Sequence, residues 1–456
     1  MSEATPTYTF PPGPPPVPRN PISLLRYFLK LRKDNVGFVR ERFETYGDMY
    51  FAPLGQTQLF VTRHPEHIQE VLVTKGAHFQ KTEKGNAATQ LKRFLGDGLL
   101  NSNGELWRRQ RRMINPAFHR KRIASYAQMM SDYTVEMLDS WKPGQTLDVS
   151  HAMMALTLRI VSRALFDHDA RTDTDRVSEA MESFRESFRV PAAFSWLPLP
   201  SVRRAKRALV DIDTLVYGMI DERLNNQDSL DTRLDLLSAM IQAVDVEGDN
   251  TSMTRKQLRD EVLTLFLAGH ETTSHALTWT LYLLSQHPEA EARVQQELHD
   301  ALGDTLPTME HLSSLPFLTM CLKESMRLYP PVYVISRAAK EDTQVGGYDI
   351  PQGAEVLIWL YLAHHDPRWF PEPETFKPER FSPEQEPQIP KGAYNPFGAG
   401  TRTCIGKSFA MMEAQLLLAT ILQRFRLRHV EGHRVAPNLS VTLSPKYGMM
   451  MQLEKR

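Results

Sequence analysis

Cys404 lies in the run Phe397-Gly398-Ala399-Gly400-Thr401-Arg402-Thr403-Cys404-Ile405-Gly406, which passes at once into an apolar-periodic stretch over residues 407–425. The cysteine therefore stands between a glycine-rich loop and a helix start. Unpaired backbone N–H groups and the positive end of the helix dipole stabilise a thiolate there. A thiolate so held is a metal ligand or a nucleophile, and Arg402 offers a fixed cation to an anionic group nearby. The bland reading is a structural cysteine packed behind a loop. Two other readings fail. Thr403 stands where a G-x-G-x-x-G loop needs its third glycine, and Arg402 stands where a nucleophile elbow needs its first.

A second constellation sits inside an apolar helical stretch over residues 254–287: Ala268-Gly269-His270-Glu271-Thr272-Thr273. A mid-helix glycine costs about 1 kcal/mol against alanine and so wants a packing or functional reason. Ala268 and Gly269 remove bulk, and Thr272 can bond back to the carbonyl of Ala268, which tends to bend a helix. The expected result is a dent that admits a small ligand beside an acid and a hydroxyl. His270-Glu271 with His275 imitates a zinc-protease motif, but the second histidine comes at i+5. At about 100° per residue it points roughly 140° away from the first, so the two cannot close on one metal.

Two more groups pair at helical spacing. Glu324 and Arg327, at i and i+3, can form an ion pair in the helix before Tyr329-Pro330-Pro331, and Pro378-Glu379-Arg380-Phe381 follows. Trp107 and Arg111, at i and i+4, share a helix face and can both donate to one acid group. Arg108, Arg109 and Arg112 beside them read either as a solvated face or as a surface for an acidic partner.

The elements that must carry these groups are mainly helical. Helical periodicity runs from about residue 65 to residue 300, preceded by a helix over residues 21–40 and by short strands at 49–52 and 58–61, with 53–55 between them. Residues 101–104 read as a turn. Residues 190–202 hold Pro191, Pro198 and Pro200 among aromatics and read as an apolar loop, either a lid or an ordinary connection. Strands follow at 332–336, 343–345 and 355–359, and a final hairpin is expected from 440–443 and 448–453 around Pro445. Strands near residues 50 and 350 need each other to make a sheet, which favours one domain over residues 21–456 after a proline-rich segment over 1–20.

Composition excludes several classes. The chain has 456 residues, with 41% hydrophobic and 24% charged, and Lys plus Arg equal Asp plus Glu at 54 each, so no global charge calls for nucleic acid. Two cysteines, Cys321 and Cys404, exclude a disulfide framework and suit a reducing cytoplasm. No run approaches roughly 18 apolar residues, so neither a transmembrane helix nor a membrane anchor is expected.

The cysteine run matches F-x-x-G-x-R-x-C-x-G, and with it the chain resembles the cytochromes P450. Ala268 to Thr273 is similar to that family's oxygen-binding motif, Glu324-x-x-Arg327 and Pro378 to Phe381 to its charged triad with Arg380, and Trp107-x-x-x-Arg111 to its propionate-binding pattern. Pro11 to Pro16 resembles the proline-rich hinge of eukaryotic members, without the anchor, as in a soluble, bacterial-type chain.

The resemblance implies a mainly α fold, a helical triangular prism with a minor β portion, holding haem b (iron protoporphyrin IX) with O2 as co-substrate. It implies that Cys404 is the metal ligand. Trp107, Arg111, Arg337, Phe397 and Arg402 would bind the cofactor, and Glu271 and Thr272 would relay protons. Phe94, Leu265, Ala268, Val332, Ile335 and Thr442 would meet the substrate. The implied activity is monooxygenation of a fatty acid, terpenoid, steroid or similar lipophile. Electrons would come from a ferredoxin or flavodoxin with its NAD(P)H-dependent reductase. A peroxide-driven peroxygenase or a non-catalytic haem sensor are the alternatives; the acid–threonine pair argues against the first.

Overall fold

A computed structural model of the chain describes residues 8–16, 30, 34–54, 57–83, 86–167, 200–226, 230, 233 and 235–456. It is mainly α with a minor β portion. Two compact units are each assembled from discontinuous segments: residues 1–83, 332–375 and 381–404 in the first, and 84–331, 376–380 and 405–456 in the second.

The first unit is built on a five-stranded sheet. Its strands are ordered Met49–Leu54, Thr57–Thr62, Glu355–Ile358, Ile335–Ala339, Phe79–Gln80. The strand at residue 57 runs parallel to the one at 355, so the expected dependence between the two ends of the chain holds. Pro53 and Leu54 belong to the edge strand, not to the separating segment expected at 53–55; an edge tolerates a residue that cannot donate to the ladder. The strand expected at 332–336 begins only at Ile335. Phe60, Ile68, Val71, Val356 and Ile358 fill the core beneath it. The helix Asn35–Tyr46 overlaps the end of the one expected at 21–40, of which residues 21–29 and 31–33 lie outside the described residues.

The second unit is helical around the 32-residue helix Arg255–Gln286. Thr254 caps its start with a reciprocal Thr254–Gln257 box, which satisfies first-turn N–H groups that would otherwise lack partners. Most of this helix is buried, and its buried residues include polar ones such as Asp260, Glu261, Glu271 and Ser274 as well as apolar ones. Trp279, fully buried, stacks on Tyr329 with ring centroids 3.9 Å apart, fixing the helix against the end of Pro316–Leu328. The proposed lid at 190–202 falls largely outside the described residues; the helix after it spans Pro200–Asn225.

The terminal hairpin is not the one expected. Pro437–Leu439 pairs with Leu443–Pro445, leaving residues 440–442 as the turn. Met450–Lys455 instead joins Phe425–His429 and Thr146–Asp148. Gly448 makes the diversion possible: its φ is +72°, and a Cβ there would lie 2.3 Å from an Asp148 carboxylate oxygen. That carboxylate accepts from the Met449 N–H at 2.8 Å.

Candidate active site

The cysteine loop belongs to the first unit. Gly398 and Gly400 have φ of +67° and +69°, and a Cβ on Gly400 would lie 1.8 Å from the Leu72 carbonyl oxygen, so only glycine lets the loop press this closely. The Cys404 N–H donates to the Phe397 carbonyl at 2.9 Å, and the Thr403 hydroxyl donates to the Gly400 carbonyl at 2.8 Å. These bonds close the loop and leave Cys404 exposed, whereas Cys321 is wholly buried and burial drives its pKa well up. Lys407–Arg424 forms the following helix, and its N-cap, Gly406, contributes no side-chain cap.

Three cations share the first unit's surroundings. Loss of hydration pushes Arg337 down to about 10. Arg402 is pushed to about 10 as well, by loss of hydration and then by the Arg337 charge. Lys81 falls to about 8, through loss of hydration and then through Arg337 and Arg402. Like charges brought together out of water are stabilised by an anionic group that meets them all. Lys81 is not among the sequence candidates, since a lysine after a two-residue strand carries no motif. Its only sequence signal was indirect, in the sheet that sets Phe79–Gln80 against Ala338 and Ala339.

The acid and threonine lie mid-helix in the second unit. Glu271 is buried at 3% exposure, and its Oε1 accepts a hydrogen bond from the Thr442 hydroxyl at 3.0 Å. His275 Nε2 lies 3.7 Å from the same oxygen. Thr272 donates to the Ala268 carbonyl at 2.7 Å, as the sequence led us to expect. Ala268 is exposed, but Gly269 serves a different purpose from the expected dent: a Cβ there would lie 2.9 Å from Val161 Cγ2 of the helix Val149–Phe166. The missing side chain lets two helices approach. His270 Nδ1 lies 2.8 Å from the Phe266 carbonyl, and no group of three or more His, Cys, Asp or Glu among the described residues could hold a metal.

Trp107 and Arg111 share the helix Gly104–Ile114 and are both half-buried; Trp107 packs on the same core cluster as Ile405, the residue after Cys404. Neighbouring arginines are structural. Arg112 grips Asp245 through two parallel bonds of 3.0 and 2.9 Å, and Arg109 donates to Asp249 and to the Thr251 and Ser252 carbonyls. Only Arg108, paired with Glu105, keeps the exposed character that a solvated face requires. Among the substrate candidates, Phe94 and Leu265 are buried in the second unit's core, Val332 and Ile335 lie in the first unit, and the Thr442 hydroxyl is committed to Glu271.

Glu324, Arg327 and Arg380 do come together. Arg327 donates twice to Glu324 at 2.7 Å, Arg380 donates at 3.3 Å, and the Lys377 N–H adds a bond at 3.0 Å. Such a set is costly to break once buried.

The chain belongs to the cytochrome P450 family, whose model matches residues 11–452. It is 37% identical to cyclooctatin synthase of Streptomyces melanosporofaciens over 88% of both chains. It is 36% identical to cyclooctat-9-en-7-ol 5-monooxygenase of the same organism over 85% of this chain and 84% of that one. Retinoic acid bound cyanobacterial CYP120A1 shares the fold at a TM-score of 0.87, 24% identity and coverage of 99% and 100%; the cytochrome P450DA heme domain does so at 0.84, 26% and 98% of each chain.

The protein is thus an oxidoreductase, a P450 monooxygenase, with haem b as cofactor and O2 as co-substrate. Its exposed cysteine thiol and its basic group of Lys81, Arg337 and Arg402 fit a thiolate-ligated cofactor that carries carboxylates. No helix among the described residues is long and apolar enough to cross a membrane.

Proposed function

We propose that the protein inserts one oxygen atom of O2 into a lipophilic substrate, by hydroxylation or epoxidation of a fatty acid, terpenoid or steroid. Electrons come from a separate ferredoxin or flavodoxin with its NAD(P)H-dependent reductase. The observation that carries this reading is Cys404, an exposed thiol closed into its loop by the Phe397 carbonyl two residues from a desolvated Arg402. The relative named for cyclooctat-9-en-7-ol, by that name an unsaturated alcohol, supports an apolar substrate. Two cysteines in 456 residues suit the cytoplasm.

Each residue has a stated task. Cys404 would hold the cofactor's iron as its thiolate. Arg337, Arg402, Trp107 and Arg111 hold the cofactor's carboxylates, and Lys81 joins them. When bound, the haem supplies O2 activation and oxygen insertion, the second oxygen leaving as water. The Glu271 carboxylate takes up protons and hands them on, and Thr272 passes them through its hydroxyl. Leu265 and Ala268, with Phe94, Val332, Ile335 and the turn carrying Thr442, meet the substrate with mostly apolar surface.

The test is spectroscopic. Reduced, CO-treated protein is expected to show the strongly red-shifted Soret band of thiolate ligation, and a lipophile library is expected to contain compounds that move the ferric Soret from low to high spin. A histidine-type band in fresh protein would overturn the thiolate assignment. A library without any spin shift would overturn the lipophile assignment.

A further inference from the structure

Glu271 and Thr272 adjoin in sequence, yet each is engaged elsewhere: Thr272 with the Ala268 carbonyl, Glu271 with the Thr442 hydroxyl. Consecutive helical side chains point about 100° apart and do not face each other. While both bonds stand, acid and alcohol are out of register for passing a proton. Glu271 must leave Thr442 before it can serve Thr272.

Thr442 is on an element suited to moving. It lies in the turn 440–442 between two three-residue strands, with Ser440 exposed and Val441 half-buried. The chain beyond it is fixed: Leu443 is fully buried and its N–H donates to the Pro331 carbonyl at 2.9 Å. On the helix side His275 closes the other flank of the carboxylate. It is 2% exposed and neither ring nitrogen makes a hydrogen bond among the described residues. Displacement therefore falls on the turn, of which Thr442 is buried but Ser440 and Val441 are not.

We propose that Thr442 is a positioning residue that latches Glu271 away from Thr272, and that substrate pressing on the 440–442 turn releases the latch. The inference rests on the reading of Glu271 as the relay acid and of this turn as a substrate contact. Its consequence is that proton supply follows substrate arrival, so reductant is spared when no substrate is present. Linkage gives a second consequence. A ligand that must break the Thr442–Glu271 bond binds more tightly once that bond is gone.

The experiment uses the haem-loaded full chain and compares Thr442→Val, which deletes the hydroxyl at nearly constant volume, with Thr442→Ser, which keeps it. A lipophile that shifts the wild-type spin state is titrated by its Soret change. NAD(P)H consumption is then followed without substrate, using a surrogate ferredoxin and reductase. Thr442→Val is expected to bind the lipophile about 10- to 100-fold more tightly, the range set by losing a hydrogen bond to a charged group from the resting state alone. It is also expected to consume NAD(P)H without substrate at least about twofold faster, while Thr442→Ser follows the wild type.

On a Glu271→Gln background the Thr442→Val step should change affinity less, because the charge that made the bond strong is already absent. Unchanged affinity in Thr442→Val overturns the latch, and so does equal tightening in Thr442→Ser, which would trace the effect to shape. If no lipophile shifts even the wild type, the substrate reading fails; the substrate-free consumption arm then still decides the latch, unchanged consumption overturning it. Should Thr442→Val fail to retain haem, Thr442→Ala carries the same comparison.

Discussion

Lys81 follows Gln80, which pairs with Ala338 across antiparallel strands, so continuing the register by one residue brings Lys81 opposite Arg337. Directly opposed residues point to the same face of a sheet. Two cations on one face repel, and the Arg337 charge indeed helps hold Lys81 down at about 8. An anion that meets both would reverse that repulsion.

Haem retention should report this pair. Lys81→Gln, Arg337→Gln and Arg402→Gln are each expected to weaken haem binding by about tenfold, the loss of one charge-assisted bond. Arg108→Gln should leave the haem-to-protein ratio of purified samples unchanged, since Arg108 only faces Glu105 at the surface. Arg109 would be a poor control because its removal would also free the loop around Asp249.

Cys404→Ser is expected to abolish the red-shifted CO band, and Cys321→Ser to preserve it. Cys321 is fully buried in the second unit, so its substitution should cost on the order of 1–3 kcal/mol of stability through burial of an added hydroxyl. Difference spectra and thermal melts separate the two effects.

Thr272→Ala should leave the CO spectrum normal while lowering the ratio of product to NAD(P)H consumed and raising peroxide. The lost bond to Ala268 is a local one within the helix, so stability should change by less than about 1 kcal/mol. An unchanged ratio would show that another group supplies the protons.

Arg327→Met leaves Glu324 as a buried charge with fewer donors, and a loss of about 3–5 kcal/mol is expected. Denaturant unfolding of the haem-loaded protein measures it. A loss below about 1 kcal/mol would mean that Arg380 and the Lys377 N–H suffice.

Stability should also depend on pH through Glu261. Burial pushes its carboxyl up to about 8, against the opposing N–H of Leu99, which donates at 2.9 Å, while its other oxygen has no hydrogen-bond partner among the described residues. A raised acid pKa means the folded state holds the proton longer than the unfolded one. Unfolding free energy should therefore fall as pH rises from about 4.5 to 8. Glu261→Gln should flatten that slope and raise stability above pH 8 by on the order of 5 kcal/mol. Unfolding curves across this range would contradict the assignment if both proteins showed the same slope.

The sequence by itself determined the local chemistry and the helices that carry it. Cys404, with glycines at fixed offsets, and the Glu271–Thr272 pair were legible because each depends on neighbours within a turn or two. So was the back-bond from Thr272 to Ala268, an i to i−4 contact fixed by helical geometry. Glu324 and Arg327 pair for the same reason.

What only the tertiary structure decided involves partners far apart in the chain. Met450–Lys455 left the expected hairpin because two strands, at 146 and 425, competed for it, and periodicity records a strand without naming its neighbour. Gly269 proved to make room for Val161, 108 positions away. Arg112 found Asp245, Thr442 found Glu271, and Lys81 came to share its surroundings with Arg337 and Arg402. A charge or hydroxyl has the same appearance in sequence whether it meets water or a partner. Only folding brings the partner to it and removes the water.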